Sequence, residues 1–103
     1  MRKASKAWIE KAEHDYRIAV LGHMSHEPLH DAVCFHCQQC IEKYLKALLM
    51  EQSIHFPKTH DLLDLVARLG AHRPTVPRLT RGLRFLNYFA VDVRYPPVVI
   101  TKR

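Results

Sequence analysis

Apolar residues recur at helical spacing in four separate stretches of the chain. In the first stretch, from about Ala4 to Leu21, an advance of 100° per residue brings five side chains onto one face: Trp8, Ala12, Asp15, Tyr16 and Ala19. Asp15 is the only acid on this face, and a buried carboxylate requires a cation or several hydrogen-bond donors. The pattern therefore predicts a first helix that either buries a paired acid or leaves Asp15 at a wet boundary.

The second stretch, from about His30 to Gln52, carries the clearest apolar stripe in the chain. The stripe consists of Cys34, Cys37, Ile41, Leu45 and Leu48. Its edge is polar and is formed by Gln38, Gln39, Glu42 and Lys46, which we call the polar strip. Polar groups at the margin of a helix seam either bridge helices or line a cleft, so the strip predicts a polar cleft beside this helix.

Two shorter helices and a tail complete the pattern. The third helix is predicted to follow Pro57, with Thr59 as its N-cap and Gly70 at its end. The fourth is predicted from about Pro77 to Phe89, with Leu79, Leu83, Leu86 and Ala90 facing inward. β-branched residues and a Pro-Pro pair make the tail irregular. We predict one all-α domain over residues 1–103, with four main helices and an irregular C-terminal tail.

The positive charge of the chain is concentrated in its last third. Residues 1–67 carry eight basic and nine acidic side chains, whereas residues 68–103 carry eight basic side chains and one acid. Arg78, Arg81 and Arg84 share one side of the predicted fourth helix, next to Phe85 and Tyr88. Such a face suits contacts with RNA phosphates and bases, although a solvated charged face explains it equally well. The charge indicates an anionic partner.

Other classes of protein are disfavoured by the sequence. Its apolar runs fall short of the ~18 residues that a membrane helix needs, and its charged start lacks the core of a signal peptide. We therefore expect a cytoplasmic protein that has no contact with a membrane. Three glycines leave no glycine-rich phosphate loop.

The cysteines at positions 34, 37 and 40 spell C-x2-C-x2-C. A zinc site on His30, Cys34 and Cys37 would need an imported fourth ligand. Because the run falls in the middle of a helix, core packing explains it better, and we expect neither a metal nor a cofactor.

Four segments resemble one known family in the correct order. They are W-x6-D at 8–15, FHCQQCIEKYLKALL at 35–49, FPKTHDL at 56–62 and YFAVDVRYP at 88–96. These segments are similar to those of the HEPN family, the higher-eukaryote and prokaryote nucleotide-binding domain. The resemblance implies a compact up-and-down helical bundle, often a homodimer, with a polar cleft between protomers or helices. It also implies a minimal nucleotidyltransferase as partner, in a toxin-antitoxin-like pair.

The resemblance also implies roles for individual residues. Those expected to bind the ligand are Gln38, Gln39, Lys43, Lys46, Arg94 and Tyr95. Those expected to support the cleft are Asp15, Glu42, His60 and Asp61. In this hypothesis the cations attract a phosphate, the glutamines and the tyrosine orient the ligand, and the acids hold the cations in place.

Two departures from the family pattern shape the functional expectation. Ribonuclease members carry R-x4-6-H on a late helix, whereas the only such spacing here runs from Arg17 to His23. Relatives also continue past the RYP block into a final helix, which we expect this chain to lack. We therefore expect a non-catalytic or weakly catalytic domain that binds a nucleotide or another phosphate-bearing ligand. A ribonuclease toxin, an RNA-binding module and a protein-interaction module remain alternatives.

Overall fold

The computed structural model describes residues 1–27, 29–70 and 80–87, and these contain four α-helices and no strand. The helices are α1 (Lys3–His23), α2 (His30–Glu51), α3 (Leu62–Leu69) and α4 (Thr80–Asn87). All four predicted helices are present, which confirms the all-α class. The predicted tail, together with Leu79 and Ala90, lies outside the described residues.

The two long helices, α1 and α2, run antiparallel along their whole length. At one end the backbone N–H of Arg2 donates to the carboxylate of Glu51 at 3.0 Å. At the other end the helices approach so closely that a Cβ on Gly22 would lie 3.0 Å from Val33 Cγ2. Small buried residues allow this approach: Ala12, Ala19, Cys40 and Ala47. The up-and-down order of the remaining helices stays a prediction.

An apolar core joins α2 to α3. Leu49 packs against Leu65 and Leu69, and the cluster is extended by Leu45, Leu48, Ile54 and Phe56. Burial of each large apolar side chain contributes about 1.5–3 kcal/mol to the folded state. This core fixes the segment between α2 and α3 against the C-terminal half of α2.

The predicted packing faces of α1 and α2 need correction. Tyr16, expected on the packed face of α1, is 59% exposed. The apolar stripe of α2 is only half-buried, whereas Gln38, Glu42 and Lys46 are almost completely buried. The reason is that α2 packs on two sides at once, against α1 and against the segment leading to α3. The polar strip therefore lies inside the junction between the helices, not at the edge of a seam.

The start of α3 also differs from the prediction. Asp61, not Thr59, is the N-cap, and its carboxylate accepts hydrogen bonds from the backbone N–H groups of Leu63 and Asp64. Thr59 Oγ1 instead accepts from the N–H of Asp61 at 3.1 Å. Gly70 ends the helix with a φ of 73°, as predicted for a glycine stop.

None of the helices in the described ranges has the length and apolar character needed to cross a membrane.

Candidate functional site

A buried carboxylate organises the polar strip of α2. Glu42, with a side chain that is 2% exposed, accepts hydrogen bonds from Lys46 Nζ at 3.0 Å and from Gln38 Nε2 at 3.3 Å. Gln39 Nε2 approaches the same carboxylate at 3.4 Å, and His60 Nδ1 lies 3.0 and 3.1 Å from its two oxygens. We call these five residues the Glu42 cluster.

Helix geometry and one loop contact bring the cluster together. Gln38, Glu42 and Lys46 are spaced four residues apart, so their side chains lie above one another on successive turns of α2. His60 arrives from the segment before α3, where Gln38 Nε2 donates to its backbone carbonyl at 3.1 Å. Gln39 Nε2 donates to Gln38 Oε1 at 2.6 Å and fixes the orientation of that amide.

The charge of Glu42 is compensated inside the protein. Burial of an unpaired carboxylate is costly, and Lys46 supplies the opposite charge. The Lys46 ammonium lies 5.3 Å from the centre of the Trp8 ring, a distance typical of a cation–π contact. The cluster is thus linked to α1 through Trp8 as well as to the segment before α3.

His60 is the member of the Glu42 cluster that solvent reaches. Its side chain is 52% exposed, whereas that of Glu42 is 2% exposed. Because a carboxylate only accepts hydrogen bonds, Nδ1 must carry the proton. The second ring nitrogen, Nε2, can then accept a hydrogen bond from a bound molecule. A histidine held in this way is suited to contact a ligand.

Asp15 forms a second charged group, where α1 faces α2. Its two carboxylate oxygens are bound by Lys43 Nζ and by His36 Nδ1, the latter at 2.9 Å. Of the two alternatives for Asp15, the structure therefore shows the buried, paired acid. Burial raises the pKa of the nearby Cys40 thiol, and the negative charge of Asp15 raises it further.

Two residues in these contacts escaped the sequence analysis. His36 precedes Lys43 by seven residues, or about two helical turns, so both side chains lie on the same face of α2. This spacing could have indicated that His36 and Lys43 bind the same partner. Asn87 of α4 donates to Asp61 Oδ1 at 2.9 Å and accepts from the N–H of Leu62 at 2.8 Å. No local pattern indicates this contact, because α4 reaches the start of α3 only in the folded chain.

None of the remaining predicted site residues that the structure describes joins the Glu42 cluster, and the others lie outside the described residues. Asp61, expected to support the cleft, caps α3 instead. Arg78, Arg94 and Tyr95 lie outside the described residues, as does the side chain of Arg81. Arg84 is exposed on α4.

The Arg17–His23 spacing and the cysteine run also stand apart from the Glu42 cluster. Arg17 and His23 are both exposed, and no described hydrogen bond or ion pair joins either residue to the cluster. The three cysteines are free thiols, with Cys40 buried and the other two half-buried. Across the described ranges, no three His, Cys, Asp or Glu side chains gather as a metal site would require.

Fold and site together define an all-α protein with a buried, charge-paired cluster at the junction of two long helices and a loop. The HEPN domain family model matches residues 5–103, and the chain belongs to this family. Membership implies a nucleotide-related role. No curated protein and no solved structure matches the chain.

Proposed function

We propose that the chain is a HEPN domain that binds a nucleotide or another phosphate-bearing ligand at the exposed edge of the Glu42 cluster. The observation that carries the proposal is the pairing of a half-exposed imidazole, His60, with a buried carboxylate, Glu42. A buried ion pair is weak evidence of a role in stability, because well-packed apolar residues often serve a bundle as well or better. Glu42 holds the His60 imidazole at one ring nitrogen, and the exposed remainder of the ring is accessible to a ligand.

The described ion pairs of the site are balanced in charge, so a ligand with phosphate groups needs a further cation. Lys46 and Lys43 are held by Glu42 and Asp15, in agreement with the role proposed for the two acids. Each acid offsets one lysine, so the excess positive charge must come from elsewhere. Arg94 is the residue that we propose supplies it, with Gln38, Gln39 and Tyr95 orienting the ligand and His60 offering a hydrogen bond to it.

The biological setting that we propose is a homodimer that works with a minimal nucleotidyltransferase in a toxin-antitoxin-like pair. Support for this setting comes from family membership. Its test is size-exclusion chromatography of the chain alone and after co-expression with such a transferase. The proposed setting requires a dimer for the chain alone and a joint peak with the transferase. A monomer that elutes apart from the transferase would contradict it.

Isothermal titration calorimetry with ATP tests the binding proposal. We expect saturable binding below millimolar concentration, and affinity at least about 10-fold lower for His60→Ala and for Arg94→Ala. His14→Ala is the matched control, because His14 is exposed on α1 and outside the site. The proposal fails if millimolar ATP releases no heat, or if both site variants bind as tightly as the control.

A second function is favoured by α4. Arg84 and Phe85 are neighbours on this helix, both are exposed, and Phe85 is exposed over 61% of its surface. A cation beside an exposed aromatic ring suits a single-stranded RNA. RNA binding through this face is therefore the alternative function.

A further inference from the structure

A surface depression lies next to the Glu42 cluster, and Trp8, which lines the depression, contacts Lys46 of that cluster. Its volume is about 470 Å³. Arg2 and Trp8 line it from the start of α1, Met50 from the last turn of α2, and residues 53–56 from the following segment. The size is within the ~300–1,000 Å³ of small-molecule sites.

The walls of the depression are held in place by the core. Ile54 and Phe56 pack against the cluster of Leu49, Leu65 and Leu69. The N–H of Ile54 also donates to the carbonyl of Leu49 at 2.9 Å, which fixes the turn after α2. The Trp8 ring is positioned by its cation–π contact with the buried Lys46 ammonium. The apolar surface of the depression is therefore formed before any ligand arrives, which lowers the cost of binding.

The rim of the depression carries positive charge. Arg2 lines it, and within the described structure no ion pair engages the Arg2 guanidinium. Glu51 accepts a hydrogen bond from the backbone N–H of Arg2. Because of that hydrogen bond, the pKa of the Glu51 carboxyl is lowered, and the group stays ionised at neutral pH. The Arg2 side chain is thus available to an anion, with Glu51 weakening the attraction.

We propose that the depression binds the planar ring of a nucleotide, with Trp8 and Phe56 contacting the ring and Arg2 contacting a phosphate. Aromatic side chains offer the faces on which bases stack, and the Met50 thioether adapts to a ring edge. Arginine is suited to phosphate oxygens by its planar fork of donors. The proposal rests on the proposed function and adds selectivity for phosphates that carry an aromatic ring.

Trp8 provides a direct readout, because it is the only tryptophan in the chain. We expect AMP to change Trp8 fluorescence saturably, and adenosine to do so with lower affinity. Ribose 5-phosphate, which lacks the ring, should bind at least about 10-fold more weakly than AMP. The proposal is overturned if ribose 5-phosphate binds as tightly as AMP.

Two variants separate the ring contact from the phosphate contact. Phe56→Leu keeps an apolar side chain in the core but removes the ring, and it should weaken AMP and adenosine alike by about 5- to 10-fold. Arg2→Glu should weaken AMP about 10-fold and leave adenosine unchanged. Lys3→Glu, with the same charge reversal at an exposed neighbour, should leave both unchanged. Equal AMP affinity in Arg2→Glu and Lys3→Glu would overturn the phosphate contact.

Comparison with His60→Ala distinguishes failure here from failure of the proposed function. If His60→Ala weakens AMP and neither depression variant does, the ligand binds at the Glu42 cluster and this inference is wrong. If the depression variants weaken AMP and His60→Ala does not, the inference stands and the site of the proposed function is wrong. Melting curves of each variant exclude loss of folding as the cause.

Discussion

At the scale of single residues, Glu42 is the position on which the site depends. Glu42→Gln leaves the Lys46 ammonium buried without its acid, so we expect a loss of about 3 kcal/mol in the free energy of unfolding. Lys46→Met leaves the Glu42 carboxylate buried without its cation, so it should also cost about 3 kcal/mol. The measurement is chemical denaturation of the two variants and of the double variant.

The double variant provides the check on this interpretation. Removal of both charges should cost at least about 1 kcal/mol less than the sum of the two single losses, because no uncompensated charge remains. Strict additivity would mean that Lys46 and Glu42 do not interact in solution.

Residues 53 and 70 both have a positive φ, and substitutions at the two positions should change stability in opposite directions. Ser53 adopts a φ of 58°, and the N–H groups of Ser53 and Ile54 donate back to Met50 and Leu49 at the end of α2. Glycine adopts this conformation without strain, so Ser53→Gly should stabilise the fold by about 0.5 kcal/mol. Gly70→Ala, at a φ of 73° and a ψ of −174°, should destabilise it by about 1–2 kcal/mol. Thermal unfolding checks both signs, and a shift of the same sign in the two variants would contradict the account.

At the scale of elements, the close packing of α1 on α2 depends on small side chains. Ala12 is completely buried at this contact, so Ala12→Leu should force the helices apart and cost about 1–3 kcal/mol. Glu13→Leu, on the exposed neighbouring position, should change stability by less than about 0.5 kcal/mol. Urea denaturation measures both, and equal effects would mean that the two helices do not pack as described.

The contact between α1 and α2 also lowers the reactivity of the Cys40 thiol. Burial and the nearby Asp15 raise the pKa of Cys40, so its thiol stays protonated and unreactive at neutral pH. We expect iodoacetamide at pH 8 to modify Cys40 more slowly than Cys34, which is half-buried. Mass spectrometry of modified peptides gives the order, and faster modification of Cys40 would contradict the packing of α2 on α1.

Sequence patterns predicted the elements better than their orientation. Helical spacing located α1 and α2 to within two residues of their observed ends, and the polar strip identified four of the five members of the Glu42 cluster. The strip was expected at a margin and is instead buried, because one-dimensional periodicity assumes a single packing face. Asn87 and the depression depend on contacts between distant elements, so the periodicity of one helix could not indicate them.

At the scale of the whole molecule, the charge asymmetry distinguishes the two candidate functions. The last third of the chain carries most of the excess positive charge, and Arg84 belongs to it. If RNA is bound through α4, log affinity should fall steeply with log salt, and Arg84→Ala should reduce that slope by about one. Electrophoretic mobility shifts at several salt concentrations give the slope. A slope that stays unchanged in Arg84→Ala, and in Arg81→Ala combined with it, would remove this alternative.

The most direct test of the central claim is an NMR titration of the labelled chain with ATP. If the ligand binds at the Glu42 cluster, the largest shifts should fall on the His60 amide and on the side-chain amides of Gln38 and Gln39. The same titration of Glu42→Gln should show these shifts reduced. Shifts confined to α4, or no shifts at millimolar ATP, would contradict the claim that the Glu42 cluster is a nucleotide-binding site.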